Sequence, residues 1–298
     1  MKLSKQALKD SSDIALEVRD AQGVPKNFVL SELLQKPRFF DWVECHVNEN
    51  QFLMYLAAAD DAVALRFFWN GGYESYTLSL WSALAASSQG ITIDIGAHTG
   101  AYSLAAKAAG ASELYSFEPH FANFARMQLN FRGNEFSLDG LHMLAVGEAS
   151  EWRTFHLTTA LDYLSTGGGL TEKAGSRQSP VQVVSLDEFL GPKRSSKVEV
   201  MKIDVEGLEP QVLRGANRIV EQSRPIIFLE CIDEQSGNDV QRILSEFGYS
   251  YFMVCDASAK LIPIDSIRPA LTIEGQIDMS RLNRIAVPSE ASDLLHQA

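Results

Sequence analysis

From Ile91 onward the sequence repeats one unit: a short apolar run, a turn carrying glycine or an acid, then a helical stretch. Ile91-Thr92-Ile93-Asp94-Ile95 reads as a buried strand, and a glycine turn then leads into an Ala-rich helix from Ala101 to Ala109. Glu113 to Phe117 reads as the second strand, Leu141 to Val146 as the third and Val198 to Ile203 as the fourth. Pro225 to Leu229, Ser250 to Val254 and Asn283 to Val287 complete the series. Helices fall between them: one from Pro119 to near Asn130, one running to Gln222 that Gly215 breaks, and one over Asn238 to Phe247. Continuous apolar runs alternating with helices demand a mostly parallel sheet covered on both faces, an α/β fold. Ligands on such sheets bind outside the carboxyl ends of the strands.

Two further stretches, Trp152 to Leu157 and Val181 to Val184, read as extra strands around a Gly167-Gly168-Gly169 loop. Ser185-Leu186-Asp187-Glu188 has capping-box spacing for a short helix. The residues before Ile91 form shorter and less regular elements. Ser31 to Val43 reads as a helix, and Gln51 to Ala57 and Ala62 to Phe68 as strands of a hairpin turning through Ala58-Ala59-Asp60-Asp61. Gly71-Gly72 punctuates the chain, and Tyr73 to Ser87 is an amphipathic helix with Leu78, Trp81 and Leu84 on one face. The expected organisation is an N-terminal helix and hairpin extension over residues 1–72 and an α/β domain over residues 73–298. Phe67, Phe68, Trp69 and Tyr73 read as packing residues of the hairpin and helix, with stacking on a sugar or other ring as the alternative.

A formal charge of −12 opposes a general polyanion-binding role, because phosphate-backbone affinity comes from clustered Lys and Arg. No nucleic-acid partner is expected. Cys45, Cys231 and Cys255 form no C-x-x-C pair, so reduced thiols are expected rather than a disulfide frame or a thiolate metal site. The first residues, MKLSKQALKDSSD, lack the apolar core of a signal peptide. No stretch reaches the ~20 apolar residues of a membrane helix. The expectation is a cytoplasmic protein that does not insert into membranes.

The junction Asp94-Ile95-Gly96-Ala97-His98-Thr99-Gly100-Ala101-Tyr102 leaves a strand and enters a helix, the context of a cofactor loop. Gly96 and Gly100 permit a tight turn. A dinucleotide fingerprint would need glycine at position 98, where this chain has His98. The acid Asp94 repels a pyrophosphate and suits a cationic or hydroxylated ligand, and S-adenosylmethionine carries both an amino group and a sulfonium. Glu118 ends the second strand ahead of Pro119, where a carboxylate accepts hydrogen bonds from ribose hydroxyls. Residues 94–102 with Glu118 and Pro119 thus form the candidate cofactor site, with Ala97, His98 and Tyr102 inside it. NAD and a methyl donor both satisfy Glu118 alone, whereas the combination with Asp94 favours the methyl donor. An NAD-dependent oxidoreductase and a silent nucleoside-binding scaffold remain the alternatives.

In Lys202-Ile203-Asp204-Val205-Glu206-Gly207, Lys202 and Asp204 are two apart at a strand end and share one face. Glu230 occupies the matching place after the fifth strand. Such carboxylates can position an acceptor hydroxyl, accept its proton, or together hold Mg²⁺. The plainer alternative is a structural Lys202–Asp204 ion pair. His120, next to Glu118-Pro119, is a competing base.

The ordered runs IDIGAHTGAYS, SFEP, LAVG, VSLDEFL, MKIDVEGLEPQVLRGA and RPIIFLE resemble the FkbM family of methyltransferases over residues 70–290. The resemblance implies a seven-stranded class I methyltransferase sheet with its last strand antiparallel. It implies S-adenosylmethionine-dependent methylation of a hydroxyl on a sugar, glycan or natural product. Carried over by position, Asp94, Gly96 and Gly100 are donor-loop residues and Glu118 the ribose ligand. Ala145 and Val146 flank the adenine, and Asp204, Glu206 and Glu230 match the family's acidic positions. His98 stands where many relatives carry Asn. The catalytic set expected is Asp204 with Lys202, Glu230 and Glu206, and Asp204 also borders the donor.

Overall fold

The computed structural model describes residues 4–23, 26–157, 164, 168–172 and 177–291. In chain order its elements are α1 (Lys5–Ala21), α2 (Leu30–Leu33), β1 (Phe39–Val47), β2 (Asn50–Ala58), α3 (Ala62–Asn70), α4 (Ser75–Ser87), β3 (Ile91–Ile95), α5 (Ala101–Ala108), β4 (Glu113–Phe117) and α6 (Phe121–Gly133). There follow β5 (Leu141–His142), β6 (Ala145–Val146), β7 (Glu151–Leu157), β8 (Arg177–Val184), α7 (Leu186–Ser195), β9 (Val198–Ile203), α8 (Glu209–Arg214) and α9 (Asn217–Gln222). The last are β10 (Ile226–Glu230), α10 (Glu234–Ser245), β11 (Tyr249–Cys255), β12 (Lys260–Ile264) and β13 (Asn283–Pro288).

The main sheet has the order β12-β11-β13-β10-β9-β3-β4-β5. β10, β9, β3, β4 and β5 are parallel neighbours, and β13 runs antiparallel between β10 and β11. The expected mostly parallel sheet with an antiparallel last strand is present. It carries an eighth strand, β12, antiparallel to β11 at the edge. Strand alternation sends successive side chains to opposite faces. Ile91, Ile93, Ile95, Met201, Ile203, Ile227 and Leu229 pack with α7 to α10, while Val200 and Phe228 pack with α4, α5 and α6. The second cluster continues without a break into Phe39, Phe52, Leu56, Phe67 and Trp69 of the N-terminal elements.

Several expectations are corrected. Ala62–Asn70 is a helix, because Asp61 accepts hydrogen bonds from the N–H groups of Val63 and Ala64 at its start and Gly71, at φ 76°, closes it in the left-handed region. The hairpin is therefore β1 with β2, turning at Asn48-Glu49. Ser31 to Val43 is not one helix: α2 stops before Pro37, and the alternating Val43, Cys45 and Val47 extend into β1. Leu141 to Val146 splits in two, with Leu141–His142 pairing β4 and Ala145–Val146 joining β8 and β7 in a separate three-stranded sheet. Of the glycine loop between β7 and β8, Gly167 lies outside the described residues. The helix after Ser185 forms, but Ser185 donates its hydroxyl to the Gly215 carbonyl and Glu188 accepts from Ser150, so no capping box closes it.

Two long-range ties fix the N-terminal elements onto the sheet. Asn130 of α6 and Asn134 just after it accept hydrogen bonds from the N–H groups of Tyr55 and Leu53, satisfying the outer edge of β2. Asp256, at the end of β11, accepts from the N–H groups of Tyr76 and Thr77 at 2.9 Å and so caps α4. Among the described residues no helix is long and apolar enough to cross a membrane.

Candidate active site

A cavity of about 910 Å³ opens at the carboxyl ends of β3, β4, β9 and β10. Its wall includes Gly96, Ala97, His98, Tyr102, Glu118, Pro119, Ala145, Val146, Lys202, Asp204, Glu206 and Glu230. The structure brings all of these expected residues together. Asp94 and Gly100 stand behind the wall instead. Asp94 is fully buried, and its Oδ2 accepts from Ser103 Oγ at 2.6 Å. Burial pushes its carboxyl up, opposed by the charge of Lys202. Gly100, at φ 96°, starts α5, where a Cβ would lie 2.9 Å from Met127.

The loop after β3 is held by its backbone. The N–H groups of Gly96 and Ala97 both donate to the Phe117 carbonyl at 3.0 Å, and His98 N–H donates to Glu118 Oε2 at 2.9 Å. Asp204 N–H returns a bond to the Ile95 carbonyl at 3.0 Å. A Cβ on Gly96 would fall 1.8 Å from the Asp204 carbonyl oxygen, so this glycine, at φ 78°, lets the first strand's loop touch the fourth strand's turn. Glu118 also accepts from His120 N–H at 2.8 Å with its other oxygen. Burial pushes its carboxyl up to about 8, against the pull of those two N–H groups. Each Glu118 oxygen retains acceptor capacity toward the cavity.

The turn after β9 is held by side chains. Glu209, buried beneath it, accepts from the N–H groups of Val205 and Gly207 and from Ser236 Oγ. Glu206 and Gly207 are left-handed, at φ 59° and 90°. Lys202 is buried, its Nζ 2.8 Å from Asp204 Oδ2 and 4.6 Å from the centre of the Tyr102 ring. Burial alone would lower the Lys202 ammonium, but Asp204 and Asp94 outweigh it and raise it. Asp204 has a half-buried side chain, 31% exposed, and no described group bonds its Oδ1. Burial, then the charges of Asp204 and Glu74, push Glu230 up to about 10, so it is neutral near pH 7.

Sequence reasoning missed Glu74. It precedes α4 in the left-handed region at φ 41°, lines the cavity and accepts a bond from the Tyr102 hydroxyl. The only signal was an acid two residues after Gly71-Gly72, where a strained residue can turn into a site. Arg66, Asn70 and Tyr73 line the same side. His120 is not on the wall, since its ring stacks on Phe155. Among the described residues no group of three or more His, Cys, Asp or Glu side chains is placed to hold a metal ion.

An α/β sheet with an antiparallel strand between its fifth and sixth parallel members, and a cavity joining the loops of its central strands, defines a class I methyltransferase architecture. The sequence matches the methyltransferase FkbM domain over residues 94–251, more than half of the chain, and the protein belongs to that family. Membership sets aside the oxidoreductase alternative. No curated protein matches the sequence. Among solved structures it is similar to methyltransferase FkbM from Methylobacillus flagellatus KT, at 17% identity, covering 74% of this chain and 52% of that one with a TM-score of 0.36. It is similar to a SAM-dependent methyltransferase from Agrobacterium tumefaciens, at 11% identity, with 91% and 79% coverage and a TM-score of 0.46. A third is a SAM-dependent O-methyltransferase from Thermotoga maritima, at 13% identity, 72% and 64% coverage and a TM-score of 0.37. The chain spans about half the length of the first of these.

Proposed function

We propose that this protein transfers a methyl group from S-adenosylmethionine to a hydroxyl of a sugar, glycan or natural product. The observation that carries the reading is the Lys202–Asp204 pair on the cavity wall, in backbone contact with the loop that would hold the donor. The residues present fit that donor. Glu118 offers its carboxyl group to ribose hydroxyls, and Ala145 and Val146 offer an apolar edge to the adenine. When bound, the donor supplies a methyl carbon already activated by its sulfonium.

The protein's part is alignment, which can contribute ~7–11 kcal/mol of a displacement barrier, and handling of one proton. Lys202 fixes Oδ2 of Asp204 and leaves Oδ1 to face an acceptor hydroxyl. Asp204 Oδ1 takes the hydroxyl proton as the oxygen attacks, a task worth ~10²–10⁴-fold in rate. Neutral Glu230 donates a hydrogen bond rather than adding a second charge. Residues 1–72 shape the acceptor half, a role supported by Asn27 to Leu30 and by the cavity face of α3. The cytoplasm is the compartment we assign, supported by three free, buried cysteines.

Calorimetric titration with S-adenosylmethionine, S-adenosylhomocysteine and NAD tests the donor. Micromolar binding of the first two, lost in Glu118→Ala and weakened in Asp94→Ala, is expected. Binding of NAD alone would overturn the reading.

A further inference from the structure

The wall of the cavity carries two described cations, Lys202 and Arg66. Lys202 is spent on Asp204. Arg66 is not: among the described residues no carboxylate lies within ion-pair distance of it, and its guanidinium rests over the Tyr73 ring, 5.8 Å from the centre. Its position is built. Ala62, Val63, Arg66 and Asn70 recur at helical spacing, so one face of α3 forms that side of the cavity. The Asn70 amide bonds both the N–H and the carbonyl of Phe28 at 3.1 Å, pinning the neighbouring segment against Arg66.

A half-buried guanidinium without an anion loses hydration that nothing returns. Here it sits in an acidic chain, on a wall that also bears Asp204 and Glu206. A neutral acceptor would need no such cation, and an anionic one would be repelled without it. Tyr73 stands between the two ends: Arg66 covers its ring, while its hydroxyl lies in the field of Glu74, Asp204 and Glu230. The wall around Arg66 also comes from residues that precede the family's matched segment, which begins at 94 and holds the donor loop.

We infer that the acceptor is itself an acid, with its hydroxyl at Asp204 and a carboxylate bound by Arg66. Guanidinium matches a carboxylate with two parallel hydrogen bonds. This deepens the proposed function and rests on its division of the cavity.

The test uses the full chain saturated with S-adenosylhomocysteine. Three hydroxy acids, glucuronate, 4-hydroxybenzoate and lactate, are each titrated against their neutral amides by calorimetry. At least one acid is expected to bind about tenfold or more tightly than its amide. Arg66→Gln should erase that preference, Arg66→Lys should keep part of it, and S-adenosylhomocysteine affinity should stay within about twofold in both. If no acid outbinds its amide, or if Arg66→Gln leaves the preference intact, the inference is overturned. A tenfold loss of S-adenosylhomocysteine affinity in Arg66→Gln would assign Arg66 to the donor and overturn it equally. Failure of the unaltered protein to bind S-adenosylhomocysteine is a different result, which removes the donor reading first.

Discussion

The loop after β3 and the turn after β9 lie on adjacent strands and meet in one cavity, yet opposite means hold them. Residues 96–98 are fixed by N–H bonds to the Phe117 carbonyl and the Glu118 carboxyl and by contact between Gly96 and the Asp204 carbonyl. Residues 204–207 are fixed by the buried Glu209 carboxylate, and their chemistry by the Lys202–Asp204 pair. The first arrangement has no slack in shape and is indifferent to most charge changes. The second depends also on which groups are ionised. Donor binding belongs to the first and proton handling to the second, so steric and electrostatic substitutions should separate them.

The largest effect is expected at Gly96. In Gly96→Ala the left-handed backbone costs about 1–2 kcal/mol, and the overlap with the Asp204 carbonyl adds about 1–3 kcal/mol. Urea denaturation should show a loss of that combined size, with donor binding abolished. A midpoint equal to the parent's would break the claim that shape governs this loop. Next comes Asp204→Asn, which keeps shape and removes charge. Methyl transfer should fall ~10²–10⁴-fold while donor affinity changes by less than about threefold. Full activity in that variant would end the role given to Asp204.

Glu118 belongs to the steric side but carries an electrostatic signature. Its folded value of about 8 lies above the ordinary 4.5, so the folded protein binds a proton there that the unfolded chain has released. The stability this proton confers is complete below about 4.5 and is lost as pH rises through about 8. Thermal melts of the parent should therefore decline across that window. Glu118→Gln, which cannot ionise, should show a flatter profile and about tenfold weaker donor binding, from one degraded ribose contact. Parallel profiles would mean that Glu118 is ionised in the folded protein throughout.

The two arrangements were not equally legible in the sequence. β3, β4 and β9 stand where the apolar runs placed them, because strands buried on both faces read as near-continuous apolar segments. The glycine-bearing loop was visible for the same reason, since its conformation leaves a mark in residue type. The N-terminal region was misread where local composition and capping disagreed. Ala62 to Phe68 looks apolar enough for a strand, but Asp61 and Gly71 close it as a helix. Glu74, Arg66 and Asp256 escaped notice because their roles come from contacts across the chain, such as Asp256 capping α4 from 179 residues away, which no local pattern encodes.

The smallest effect is the sharpest test of the electrostatic side. With its carboxyl pushed up to about 10, Glu230 is neutral at pH 7, and an amide nearly reproduces its size and hydrogen bonding. Glu230→Gln should therefore leave methyl transfer at pH 7 nearly unchanged and match the parent's stability below about 4.5, where Glu230 is protonated both folded and unfolded. Because the unfolded chain releases this proton above about 4.5 while the folded parent holds it up to about 10, the variant should become progressively the more stable of the two across that window. An ionised Glu230, as a partner of Mg²⁺ or as the proton acceptor itself, would behave otherwise. Its replacement by Gln would cost activity at pH 7, and EDTA would then inhibit the parent and leave the variant unaffected. Indifference to both EDTA and the substitution at pH 7 would leave Asp204 as the single charged acceptor of the proton, with Lys202 to hold it.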